Sequence, residues 1–343
     1  MERAPTSGDR QRTTHAWAWR LAKTGLVVGV VAGGLWTATH GVAHVGWSEV
    51  VAILRQVQPE QLLLLTLIWL GGLAVYSLVL SAALPGLGVP RSLLLNLSGS
   101  AVSNVVPLGG AVGTALNWRM VTRWGHSSNA FAAFCVLTNV LDVLTKLVLL
   151  LVAVTGLALV SAHVPTTLWV LAACCAAVLV ASAMVEPVAR RISLSARVRN
   201  GLAESLRTQV CDSWLRIHTL LRTAAPTLLL ASAGYIVAQV ALLDVSLQTV
   251  GLQPPVTVVI MTAAIERLGT LIPITPGGTG VAEVGAIAWL IGTGLPPVEV
   301  VAGVVLCRLF LVVMEIPLGS ALLAGWMWSQ RSARAAAGPQ VAS

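Results

Sequence analysis

Ionisable residues stranded inside apolar runs are the first candidates for chemistry. Asp142 and Lys146 stand four apart in a stretch of Leu, Val and Thr, which puts both on one helix face where they neutralise each other. A purely structural pair is the alternative reading of these two. Glu266 and Arg267 close one apolar segment, Glu283 follows a Gly-rich one, and Arg308 and Glu315, seven apart, share a face of the last. A charge at the bilayer centre costs about 2.5–3.5 kcal/mol on insertion scales, so such residues pair or line a cavity. Asp244, Glu299 and Arg119 lie nearer the ends of apolar runs and read as interfacial.

This is chemistry of holding, not of bond-making. The chain has no nucleophile elbow, phosphate-cradling loop or carboxylate pair in a polar stretch, so no catalytic residue is expected. His40, His44, His126, His163 and His218 fall near span boundaries without zinc-ligand spacing. Four of the five cysteines lie in apolar segments, where Cys packs as a small hydrophobe. No metal or cofactor is expected.

The second unusual feature is a set of helix breakers at apparent membrane depth. Leu271–Leu290 reads LIPITPGGTGVAEVGAIAWL, with Pro273, Pro276, Gly277, Gly278 and Gly280 ahead of Glu283. Asn104–Gly113 reads NVVPLGGAVG, with Pro107, Gly109, Gly110 and Gly113. An unpaired backbone amide in hydrocarbon costs several kcal/mol, so irregular backbone survives there only inside protein or beside water. Amides freed at the start of a half-helix carry partial positive charge and attract anions. Gly280–Leu290 reads as such a half-helix. A proline kink or a small-residue helix contact is the bland alternative for one motif; two in matching places favour a site.

Composition identifies the elements that must position these residues. Hydrophobic residues make up 56% of the chain and charged ones 10%, against about 25% charged in a soluble domain. Several runs exceed the roughly 18 apolar residues of a membrane-spanning helix. The expected fold is therefore all-α, a polytopic membrane helical bundle. Full spans are read at about Gly25–Val45 (kept rather than cleaved), Gln61–Leu84, Asn129–Ser161, Pro165–Pro187, Pro226–Val250 and Val298–Trp328, with His44–Glu60 a polar connection. Trp residues gather near span ends, as interfacial belts do.

Charge then orients the chain. The net charge of +8 comes from bases in the gaps between apolar runs. They lack the aromatic interleaving of a nucleic-acid surface, so nucleic acid is not an expected partner. Suppose Ser92–Gly113 and Val256–Leu295 each enter and leave on one side. Then every base outside the apolar runs, save Arg55, falls on the same side as the N-terminal tail, as cytoplasmic loops require. The reading is six full spans plus two re-entrant helical hairpins entering from opposite sides, an inverted repeat of the kind transporters use. In domain terms, residues 1–23 form a basic cytoplasmic tail, and 24–328 the transmembrane domain. Its halves are 24–187 and 226–328, joined by the basic cytoplasmic linker 188–225, and 329–343 is a disordered tail.

Pro276–Glu283 (PGGTGVAE), followed by a Gly-rich turn and a span carrying Arg308, resembles the transmembrane region of lysylphosphatidylglycerol synthase/flippase proteins. Asn104–Met120 leading into a long span fits the same plan, so the likeness covers about residues 20–328. The resemblance implies a pseudo-symmetric bundle that moves or handles phospholipids or lipid-linked molecules across the cell membrane; the charge bias already puts both termini in the cytoplasm. It points to Pro276, Gly277, Gly278, Gly280, Glu283 and Arg308 as substrate-binding. The breakers of the first motif and the ionisable set Glu266, Asp142, Lys146 and Glu315 complete the candidate site. Two features depart from the family: Thr114 follows Gly113 where many relatives have Glu, and no soluble aminoacyl-transfer domain follows Trp328. The chain is thus not expected to make lysyl-lipid itself. Two alternatives stand beside the flippase: a non-transporting membrane partner of a separate lipid-modifying or glycosyl-transferring enzyme, and a small-solute transporter.

Overall fold

The computed structural model describes residues 43, 45–105, 109–160, 164–178, 219–220, 223–271 and 280–336. Among them the chain is all-helical. Helix α1 is Trp47–Leu54, α2 Pro59–Ala83, α3 Val89–Val105, α4 Gly109–Arg123, α5 Ser128–Val160, α6 Thr166–Val178, α7 Ala225–Thr249, α8 Val256–Gly269, α9 Val281–Gly292, α10 Pro297–Arg308 and α11 Glu315–Ala336. A π-helical turn, Leu309–Val313, joins the last two into one long rod.

Local sequence explains where the helices begin and end. Pro59, Pro226 and Pro297 occupy the first turns of α2, α7 and α10, where a missing N–H costs nothing and a fixed φ helps. Pro85 and Gly86, the latter at φ +88°, stop α2. Four helical stretches are long and apolar enough to cross a membrane: Pro59–Ala83, Ser128–Val160, Ala225–Thr249 and Pro297–Ser332. They match four of the expected spans. The stretch expected near Gly25–Val45 lies almost wholly outside the described residues. Pro165–Pro187 is described only through the apolar helix α6. The linker 188–225 also falls mostly outside them.

Two expectations are corrected. His44–Glu60 is more than a polar connection, because Trp47–Leu54 is helical and packs on α10 with Val50 fully buried. The first hairpin also reaches beyond Gly113. Its second arm continues through Asn117 and Arg119 to Arg123. Those polar residues look like a loop in the sequence, yet they form one helical run.

The short helices pair antiparallel. Gly99 and Ser103 of α3 face Asn117, Gly113 and Gly109 of α4, and Ile265 and Gly269 of α8 face Gly285 and Ala282 of α9. Small residues permit these approaches; a Cβ on Gly113 would sit 2.9 Å from the Gly99 carbonyl oxygen. Arg91 near the start of α3 lies 5.5 Å from the ring of Trp124 just past α4, so both ends of this hairpin meet. At 17 and 14 residues, α3 and α8 are only about 25 and 21 Å long, short of the roughly 30 Å hydrocarbon core.

Packing repeats between the halves. Helices α2 and α7 cross antiparallel, with Gly72 against Ala238, Gly234 against Val75, and the Tyr76 and Tyr235 rings 4.6 Å apart. Exchanging α2, α3, α4 and α5 with α7, α8, α9 and the final rod maps the principal contacts onto one another. The pair α3–α11 becomes α8–α5, α3–α4 becomes α8–α9, and α2–α3 becomes α7–α8.

The surface is the reverse of a soluble protein's. Leu63, Leu67, Leu159, Leu229 and Leu230 are exposed, whereas Ser77, Ser246 and Thr262 are buried and donate to carbonyls four residues back. Lipid accepts the leucines, and each hydroxyl is satisfied by its own helix.

Candidate functional site

The site is built where the second hairpin meets the last rod. Gly280 starts α9 at φ +94°, a conformation natural only to glycine, and Glu283 stands three residues on. The Glu283 carboxylate turns back to accept the Gly280 N–H at 2.6 Å. The end of α9 expected to attract an outside anion is thus partly capped by its own acid.

Arg308, the last residue of α10, reaches both arms of the hairpin. Its Nε lies 3.0 Å from Glu283 Oε1, and its Nη2 lies 3.3 Å from Glu266 Oε1 in the last turn of α8. The acids are 4% and 6% exposed, so neither charge is carried by water. The contacts are charge pairs without hydrogen-bond alignment. Two carboxylates on one guanidinium leave the triad formally −1. Arg308 is thus held between acids from both arms of the second hairpin.

Beside the triad lies a polar cavity of about 410 Å³. Its walls come from α3, α4, α5, the α2–α7 crossing, the tip of α8 and the final rod. Among the predicted residues, Gly110, Gly113, Asp142, Arg308 and Glu315 line it. Gly109 packs on Ser103 behind the wall. Lys146 is buried and donates to Asp142 at 2.7 Å, its partner's side chain half exposed. Asp142 thus enters the cavity already neutralised. The π turn adds a residue between Arg308 and Glu315 and breaks strict helical register, yet both still reach the same space.

Glu283 and Gly280 lie on the other side of the triad, in an apolar groove of about 430 Å³ with Leu54, Leu62, Ile287 and Val305. Arg308 borders both spaces. Pro107, Pro276, Gly277 and Gly278 lie outside the described residues.

Several cavity residues are not among the predicted set. Arg267 lines the cavity and makes no ion pair among the described residues, although it follows Glu266 in sequence. Asn96, Asn117, Asn139, Gln239, Tyr76 and Tyr235 line it as well. Their only sequence mark is being polar within or beside apolar runs.

A family model described as the lysylphosphatidylglycerol synthase TM region matches residues 24–319. No curated protein matches the chain.

Proposed function

The chain belongs to the lysylphosphatidylglycerol synthase transmembrane-region family, and from that premise we propose that it translocates phospholipids or lipid-linked molecules between leaflets of the cell membrane. The observation that carries this reading is a polar cavity adjoining an apolar groove, with Arg308 on the border. A lipid has two parts that need these two surroundings. The polar headgroup enters the space lined by amides, hydroxyls and Arg267, while acyl chain lies along Leu62, Ile287 and Val305. A small polar solute has no use for the groove.

In this reading the hairpins are re-entrant and the halves form an inverted repeat. Contact exchange between the halves, and arms shorter than the hydrocarbon core, support both. Arg91, Arg119, Arg123 and Arg331 gather at one end of the bundle, around Trp124 and Trp326. We place that end in the cytoplasm. Alternation arises as one half rocks against the other about the α2–α7 crossing, and the glutamate–arginine triad ties the second hairpin to the final rod while it moves.

The test is a headgroup-labelled lipid in reconstituted vesicles, with the outer label quenched chemically. Vesicles holding folded protein should expose the inner pool faster than empty ones. Equal rates would sink the proposal.

A further inference from the structure

We propose that the cleft between α4 and the end of α11 is a second lipid site, separate from the cavity, which holds a net-anionic phospholipid by its phosphate at the membrane interface. It stands whether or not the cavity carries lipid across.

The cleft, of about 260 Å³, is lined by Leu116, Arg119 and Arg123 from α4 and by Trp326, Met327 and Arg331 from α11. Helix α3 packs against both α4 and α11, and the cleft is the space these two leave between them. None of its residues lines the cavity. Two sides of α4 are in use. Gly110, Gly113, Thr114 and Asn117 recur at helical spacing toward the cavity, and Leu116, Arg119 and Arg123 do so toward the cleft.

Charge is the first ground. Three arginines line the cleft and no acid does. None of the three makes an ion pair among the described residues. Helix α4 carries no acid, and on α11 the nearest is Glu315 at its start, about 24 Å along a helix from Arg331. The linker 188–225 offers no remedy, with seven arginines against Glu204 and Asp212. The counter-charge has to come from outside the chain.

Shape is the second ground. A basic loop that only orients the chain needs charge and no particular structure. Here the bases are set against aromatic faces. Arg123 lies 5.5 Å from the centre of the Trp326 ring, Trp326 meets Trp124 edge-on at 6.5 Å, and Arg91 lies 5.5 Å from Trp124. Guanidinium groups stacked in this way are held in place while keeping N–H groups for phosphate oxygens. Leu116, Trp326 and Met327 give the cleft an apolar wall that suits acyl chain, which a free anion lacks. Arg119, Arg123 and Arg331 are exposed, so lipid reaches them without any opening of the bundle.

The test is native mass spectrometry of the full chain in detergent, titrated with phosphatidylglycerol or with phosphatidylcholine of identical tails. The first phosphatidylglycerol should bind about tenfold more tightly than phosphatidylcholine, the scale of one or two interfacial arginines. Arg123→Gln should weaken phosphatidylglycerol about fivefold, and Arg119→Gln with Arg123→Gln should erase the preference. Arg55→Gln, an equal loss of charge beyond the opposite end of α2, should change nothing. Trp326→Leu keeps every charge and should still weaken phosphatidylglycerol, in protein whose helicity matches wild type. Glycerophosphoglycerol, the same headgroup without tails, should not compete. Equal affinity for the two lipids, or a preference that survives in the double arginine variant, would overturn the site. So would displacement by the tail-less headgroup. Equal effects of Arg55→Gln and Arg123→Gln, or wild-type binding by Trp326→Leu, would reduce the cleft to a diffuse basic face and overturn it as well.

Discussion

Replacing Arg308 by Met should expose how the triad is held together. Wild type has two carboxylates on one guanidinium, at 3.0 and 3.3 Å. At an effective dielectric near 20, each attraction is worth about 4 kcal/mol for charges about 4 Å apart. Desolvation and repulsion between the two acids oppose this, so the net gain is far smaller. Removing the cation leaves both acids buried and facing each other, and breaking a buried pair in this way costs about 3–5 kcal/mol. Glu266→Gln should cost much less, because Arg308 keeps Glu283 and the triad becomes neutral. Glu283→Gln should fall between, since it also weakens the cap on Gly280. The triple variant, Arg308→Met with both acids changed to Gln, should return to within about 1–2 kcal/mol of wild type, since uncharged replacement of buried ion pairs is often near neutral. The assay is reversible unfolding in mixed SDS–detergent micelles, followed by helicity. Arg308→Met as stable as wild type, or a triple variant no better than the single one, would refute the reasoning.

Asp142→Asn should destabilise more than Lys146→Met in the same assay, because the first strands a buried ammonium and the second a carboxylate half exposed to the cavity. Gly319→Ala should cost about 1–3 kcal/mol, since its Cβ would press on the Leu97 carbonyl and lie 2.8 Å from the Ala101 methyl, whereas Gly71→Ala meets nothing within 4 Å and should be neutral or slightly stabilising. In single-cysteine variants, a methanethiosulfonate reagent should modify Cys135, which lines the cavity, and spare Cys307, which is 1% exposed; mass spectrometry of the intact chain reads both.

Much of the bundle is legible in the sequence because lipid imposes a length and polarity rule on each span. The four long helical stretches fall within a few residues of their expected limits. The second arm of the first hairpin escapes that rule. Asn117 and Arg119 lower its hydropathy, yet Asn117 faces the cavity and Arg119 lies with Arg123 and Arg331 at the basic end of the bundle. Glu266 and Arg267 show a different limit. As sequence neighbours they look like a pair, but adjacent helical residues point about 100° apart. Glu266 turns to Arg308, and Arg267 lines the cavity. The stranding of Glu283 and Arg308 in apolar runs marks both as special, while their pairing across 25 positions needs the hairpin to fold. Nothing in Leu309–Val313 announces a π turn, and an amide on a helix does not reveal which neighbour it faces.

The central claim is that lipid crosses through the cavity, and its most direct test combines transport with a plug. A variant retaining Cys135 as its sole cysteine is reconstituted with a headgroup-labelled lipid, and exposure of the inner pool is timed before and after reaction with a bulky thiol reagent. Exposure should be fast before modification and fall to the empty-vesicle rate after it. Transport unchanged by a fully modified Cys135, or no faster than in empty vesicles at the outset, would contradict it.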